Sequence, residues 1–165
     1  MLQVNCYLVW DEATLQALII DPGDDADQIV DAVREADLEP QGILLTHAHV
    51  DHIRGVSEMA RIFAIPVMLH AADEPLYSDP ANELQPWVPA ATGLPSPGTV
   101  ADDLPGLAFQ VIHTPGHTRG GCCYYFPGAN ALFSGDTLFR QSIGRTDLPG
   151  GDTDTLLNSI RTELF

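Results

Sequence analysis

Apolar and polar positions along the chain change period several times, and each change predicts an element. Asn5-Cys6-Tyr7-Leu8-Val9-Trp10 is apolar and β-prone. Asp11 to Thr14 reads as a turn, and Leu18-Ile19-Ile20 returns as a second strand that Pro22-Gly23 ends. Ile29, Val30, Val33 and Ala36 then recur at helical spacing, with Asp24 or Asp25 placed to cap the helix. Gly42-Ile43-Leu44-Leu45-Thr46 is a short, unbroken apolar run of the kind that suits a buried strand. Val56, Met59, Ala60 and Phe63 mark a second helix, and Pro66 to Leu69 a further strand. Strand and helix alternate through this half, which predicts a layered α/β fold.

From Pro75 to Pro105 the periodicity fails, and seven of the 13 prolines fall there. The strand pattern resumes on both sides, so this reads as a long irregular surface segment of one domain rather than a linker. Leu107 to Ile112, Cys122 to Phe126 and Ala131 to Phe133 are three more expected strands, the last two joined by a turn at Pro127-Gly128-Ala129-Asn130. Leu156, Leu157, Ile160 and Leu164 put an apolar stripe on a last helix, capped by Asp152 or Thr153.

Composition narrows this picture. A chain of 165 residues supports one domain, 1–165, with a core large enough to need no disulfides. Three cysteines, two of them adjacent, cannot form a full disulfide set, which points to reduced thiols and a cytoplasmic protein. The first basic residue is Arg34, so the N-terminus lacks the charged start of a secretory signal. Seven basic residues, all arginine, stand against 23 acidic ones, for a net charge of −16. A body this acidic repels phosphate backbones and anionic membranes, so neither nucleic acid nor membrane is expected as a partner.

The candidate chemistry follows the apolar run that ends at Thr46. His47-Ala48-His49-Val50-Asp51-His52 holds three of the six histidines and a carboxylate, at a strand end where α/β sheets place their sites. Alternate residues of an extended chain face one way, so His47 and His49 can reach one ion. Imidazole and carboxylate suit Zn, Fe or Mn. Thr114-Pro115-Gly116-His117-Thr118 and Ser134-Gly135-Asp136-Thr137 each repeat the construction, a β-prone run closing on a glycine-containing turn and a ligand type. His113 and His70 read as packing residues and the adjacent Cys122 and Cys123 as facing opposite sides of a strand, one of them near the surface. Trp87 reads equally as a core plug or as the wall of a cleft.

These three motifs resemble the signature of the metallo-β-lactamase superfamily. Asn5 to Trp10, Asp21-Pro22-Gly23, and Phe139 to Asp152 with Ile143-Gly144-Arg145-Thr146-Asp147 extend the resemblance to the small bacterial glyoxalase II-like hydrolases. It implies an αββα sandwich with a two-metal site at one edge, most simply two Zn. His47, His49 and His117 would hold one ion, Asp51 and His52 the second, and Asp136 would bridge them. The implied activity is hydrolysis of a small-molecule thioester, such as a hydroxyacyl-glutathione, by metal-bound hydroxide. Asp51 would orient the hydroxide and Arg145 would contact an anionic substrate, with Arg140 and Arg119 as lesser candidates. The family's remaining ligand to the second ion is a His in a loop after another strand. This sequence stops at Phe165 without one, so the expectation is a C-terminally truncated member with its last strand absent. Two other readings remain at this stage: a mononuclear iron persulfide dioxygenase using His47, His117 and Asp136, and an inactive metal-binding remnant.

Overall fold

The computed structural model describes residues 4–100, 103–104 and 107–165; residues 1–3 and 101–102 and 105–106, where the proline-rich segment ends, lie outside them. Two sheets face each other. The first has five strands in the order β1 (Tyr7–Trp10), β2 (Gln16–Ile20), β3 (Glu39–Leu44), β4 (Val67–Leu69) and β5 (Gly98–Thr99). β1 runs antiparallel to β2, and the other pairings are parallel. The parallel pairings need crossovers: α1 (Ala26–Glu35) supplies the first, the short α2 (Val50–Ile53) with α3 (Val56–Phe63) the second, and residues 70–97 the third. Two further short hairpin strands, β6 (Asp103–Leu104) and β7 (Leu107–Ala108), pair with each other. The second sheet has the order β10 (Ala131–Phe133), β9 (Cys122–Phe126), β8 (Gln110–His113), all antiparallel.

The layers explain why β2 reads Ala-Leu-Ile-Ile without alternation. Ile19 and Ile43 pack with Ile29, Val30, Val56 and Met59 on the helical side. Leu18, Ile20 and Leu44, on the other face, pack with Phe109, Cys122, Tyr124 and Phe126 of the second sheet. A strand covered on both faces has no polar side to show. The last helix, α5 (Thr153–Glu163), is capped by Asp152, whose Oδ1 accepts from the Thr155 amide at 2.7 Å. Its buried Leu156 and Ser159 lie against the loop after β8, where Ser159 Oγ donates to the Pro115 carbonyl. The result is the expected αββα order.

Four expectations change. The run Leu107 to Ile112 is two strands, because Leu107–Ala108 is taken by the hairpin with Asp103–Leu104 while 110–113 pairs with β9. The proline-rich segment is less irregular than its composition suggests: it opens with helix α4 (Glu74–Tyr77), buries Tyr77 and Asn82, and supplies β5. Cys122 and Cys123 do face opposite ways, but both are buried, since Cys123 lies under the Thr114 and Ser134 loops. Asp25 occupies the α1 N-cap position without a side-chain capping bond, while Asp24 is taken by Arg54 at 2.8 Å.

Candidate metal centre

Four chain segments deliver their polar residues to one edge of the sandwich: those after β2, β3, β8 and β10. Beyond Leu44 the chain leaves the first sheet and crosses to the second, where the Thr46 carbonyl accepts from the Cys122 amide and the Leu45 carbonyl from Tyr124 Oη at 2.6 Å. This bend brings His47, His49 and His52 to lie with His117, and all four are buried. His49 Nδ1 is 2.9 Å from His117 Nε2, which is 3.2 Å from His47 Nε2. Asp136 lies between the two sides of the cluster, its Oδ2 3.6 Å from His117 Nε2 and its Oδ1 3.5 Å from His52 Nε2. The motifs singled out in the sequence are thus together in space.

The outer hydrogen bonds fix which ring nitrogens carry protons. Thr46 Oγ1 donates its one proton to Asp21 Oδ2 at 2.6 Å, so the neighbouring His47 Nδ1 must donate to Thr46 Oγ1 at 3.1 Å. His117 Nδ1 donates to the Arg145 carbonyl at 2.6 Å. In the neutral rings, Nε2 of both His47 and His117 is then a bare lone pair, and these two face each other. His52 Nδ1 donates to Asp21 Oδ2, which turns its Nε2 toward the Asp136 carboxylate. Lone pairs converging on a point from rings held by outer partners are the arrangement that a cation completes. The donor groups fit a divalent transition metal.

Electrostatics carry the same message. Burial, then the charges of His52, His49 and His117, pushes the His47 imidazolium well below its usual range. Burial, with His117 and His52, takes His49 down to about 3. Burial also opposes a charge on His52, but Asp21 and Asp136 outweigh it and lift that group to about 10. Burial raises Asp136, yet the bond from His52 and the nearby imidazoles hold it low. Asp51 is raised, chiefly by burial.

Among the described residues, two donor groups come within metal-sharing reach: His47, His49 and His117, and Asp21, His47 and His52. The second contains Asp21 where the sequence reading placed Asp51. Asp21 is buried, accepts from the Thr46 amide and hydroxyl and from His52, and sits at φ 48° immediately before a proline. That backbone is unfavourable twice over for a residue before proline. In the sequence, Asp21 stands out only as part of the wider motif Asp21-Pro22-Gly23. Asp73 and Asn82 were missed altogether: both are buried and bond to the backbone of the His47–His52 loop, and nothing in their sequence surroundings marks them.

A cavity of about 440 Å³ opens over the cluster, lined by His49, Asp51, Trp87, His117, Asp136 and Arg145 among others. Trp87 is 71% exposed, so it walls this cleft and is no core plug. Arg145 is exposed and doubly bonded to Asp147 at 2.8 Å. Arg140 lines a second cavity of about 390 Å³ on the Asp21–His52 side, and Arg119 lies away from both. His70 and His113 stand outside the cluster, stacked on each other at 4.0 Å, with His113 Nε2 donating to the Arg119 carbonyl. No helix among the described residues is long and apolar enough to cross a membrane.

Known proteins share this construction. The profile of the metallo-beta-lactamase superfamily matches residues 1–165. The hydroxyacylglutathione hydrolase GloC of Haemophilus influenzae is 34% identical over 175 residues, 99% of this chain and 80% of that protein. Among solved structures, the B3 metallo-beta-lactamase BLEG-1 superposes with a TM-score of 0.90 at 41% identity, over 97% of this chain and 79% of that one. TTHA1623, solved in a di-iron-bound form, does so with a TM-score of 0.84 at 38% identity, over 96% and 80%. The layered sheets, the imidazole cluster at their edge and a profile match along the whole sequence agree, and the chain belongs to the metallo-β-lactamase superfamily.

Proposed function

We propose that this protein is a metal-dependent hydrolase that cleaves a small anionic thioester of the hydroxyacyl-glutathione type. The observation that carries the proposal is the cleft itself: buried metal-donor groups form its floor, and Trp87 and Arg145 stand on its walls. His47, His49 and His117 would hold one ion, Asp51 and His52 would hold a second, and Asp136 would serve both. Zinc is the proposed metal, and iron and manganese suit the same donors. When bound, such an ion lowers the pKa of a water from 15.7 to about 7 and polarises a carbonyl.

The chain's own residues do the rest. Arg145 is the cation of the cleft wall and takes a substrate carboxylate, at the cost of loosening its pair with Asp147. Trp87, Leu84 and Leu148 offer an apolar surface to the sulfur-bearing part of the substrate. Asp51, on the wall beside His52, orients the attacking water. In the overall reaction a C–O bond forms, the C–S bond breaks, and a thiolate leaves; a thiolate needs no strong acid. The GloC relative, named as a hydroxyacylglutathione hydrolase, supports this choice of substrate.

The test is to compare hydrolysis of a hydroxyacyl-glutathione with that of a β-lactam and a phosphodiester by metal-loaded protein. Thioester turnover should dominate, and dominance by either other substrate contradicts the proposal. A second reading, iron-dependent oxidation of a persulfide, rests on His117 Nε2 lying 3.2 Å from His47 Nε2 and 3.6 Å from Asp136 Oδ2, and on TTHA1623 having been solved in a di-iron-bound form. Oxygen uptake on glutathione persulfide separates the two.

A further inference from the structure

The two arms of the cluster, His47–His49 and His117, are about seventy positions apart in the chain, yet their ring nitrogens approach to 2.9 and 3.2 Å. Asp73 bonds to both arms beneath the cluster. It is buried at the end of the single 3-10 turn Ala71–Asp73, which follows β4 directly. Its Oδ2 accepts from the Ala48 amide at 3.0 Å and from Thr118 Oγ1 at 2.8 Å, and its Oδ1 accepts from the Gly120 amide at 2.6 Å. Ala48 lies between His47 and His49, and Thr118 directly follows His117. The approach is close enough that a Cβ at Gly120 would come within 2.6 Å of the Asp73 backbone nitrogen.

We propose that Asp73 is a positioning residue for the metal centre: one carboxylate sets the spacing between the His47–His49 arm and the His117 arm. The chemistry favours a carboxylate over any neutral group. All three partners donate, and an ionised carboxylate is acceptor-only. Hydrogen bonds to a buried charge are also about twice as strong as neutral ones. Asn82 completes the hold on Ala48, donating from Nδ2 to its carbonyl at 2.7 Å, so both backbone groups of the residue between the two ligands are fixed by buried side chains. β4 neighbours β3, which leads into His47, so Asp73 and the first arm share one rigid support. A site held this way has its donor nitrogens in place before any ion arrives.

The proposal rests on the metal centre and is independent of the substrate, so the readout is the metal. Asp73→Asn turns an NH2 toward partners that are themselves donors. The zinc affinity of this variant, from competition with a chromophoric chelator, should fall by roughly 10–100-fold. The d–d absorption bands of its cobalt-loaded form should shift in position or intensity. Val33→Ala, a cavity in the remote cluster with Ala17 and Leu38, is the control for general loosening: it should lower the thermal midpoint and leave affinity and the cobalt spectrum unchanged. Wild-type affinity in Asp73→Asn overturns the proposal, as does a loss no larger than that of Val33→Ala at an equal drop in midpoint. If Asp73→Asn does not fold, Asn82→Ala and Thr118→Val, which each remove part of the hold, should weaken zinc binding and shift the cobalt spectrum. Unchanged metal binding in both overturns it equally. Wild-type protein that takes up no metal refutes the metal centre itself, a result distinct from any of these.

Discussion

At the level of single residues, the histidines differ by their environments. His117 has its ring between His47, His49 and Asp136, whereas His113 stacks on His70 and bonds to a loop carbonyl. His117→Ala should therefore lose far more metal affinity than His113→Ala; a lost outer partner costs ~10–100-fold and a lost ligand should cost more. Equal losses in a competition titration would mean that the wrong histidine has been assigned. The same environments set a pH dependence for the metal-free protein. His49, held at about 3, takes no proton as pH falls below 6.5, but the unfolded chain does, so stability is lost from pH 6.5 downward. His52, raised to about 10, keeps its proton where the unfolded chain has released it. Its contribution is fully present below 6.5 and is lost as pH rises toward 10. The thermal midpoint of metal-free protein should pass through a maximum near pH 6–7. A midpoint that climbs steadily from pH 5 to 9 would contradict these assignments.

Much of the residue-level site was legible because chemistry and spacing coincide in it: His47 to His52 is a dense cluster directly after an apolar run, and His117 and Asp136 each follow a strand and a turn glycine. Asp21 was half legible, as part of Asp21-Pro22-Gly23, but its work as the acceptor for Thr46 and His52 depends on a non-local approach. Asp73 and Asn82 were not legible. An aspartate after a short strand and an asparagine among prolines look like ordinary turn residues until the fold brings Ala48 against them. The split of Leu107 to Ile112 was hidden for a related reason: local pattern reports that a segment is β-prone, and pairing partners decide where it is cut.

At the scale of elements, the loop carrying His117 is held from behind by α5. Gly116 has φ 128°, a conformation that strains any side chain, and a Cβ there would fall inside the Leu156 backbone. Gly116→Ala should push α5 away and shift His117 with it, lowering both the thermal midpoint and metal affinity. Leu156→Ala leaves the loop backbone alone but empties a fully buried site. It should cost ~2–5 kcal/mol in denaturant unfolding and leave the affinity of the folded protein close to that of wild type. If the two variants prove alike in their metal affinity, the loop is not positioned by this contact.

At the scale of the whole molecule, a charge of −16 surrounds a cleft whose wall carries one guanidinium. The proposed substrate, an anionic thioester, would approach against that field. Screening shortens from ~30 Å at 0.01 M salt to ~10 Å at 0.1 M, so kcat/KM for an anionic substrate should rise over that range. Arg145→Ala should mainly raise KM, since a carboxylate bound at the cleft wall is held alike in ground and transition states. A kcat/KM that falls as salt is added would show that local attraction by arginine outweighs the acidic body.

Four converging segments build a metal centre, and elemental analysis of protein purified without chelator, and of metal-free protein reconstituted with zinc, iron or manganese, decides whether it holds an ion. Close to one metal per chain or more is expected, reduced in His117→Ala and retained in His113→Ala. Protein that remains metal-free after reconstitution with all three would contradict it.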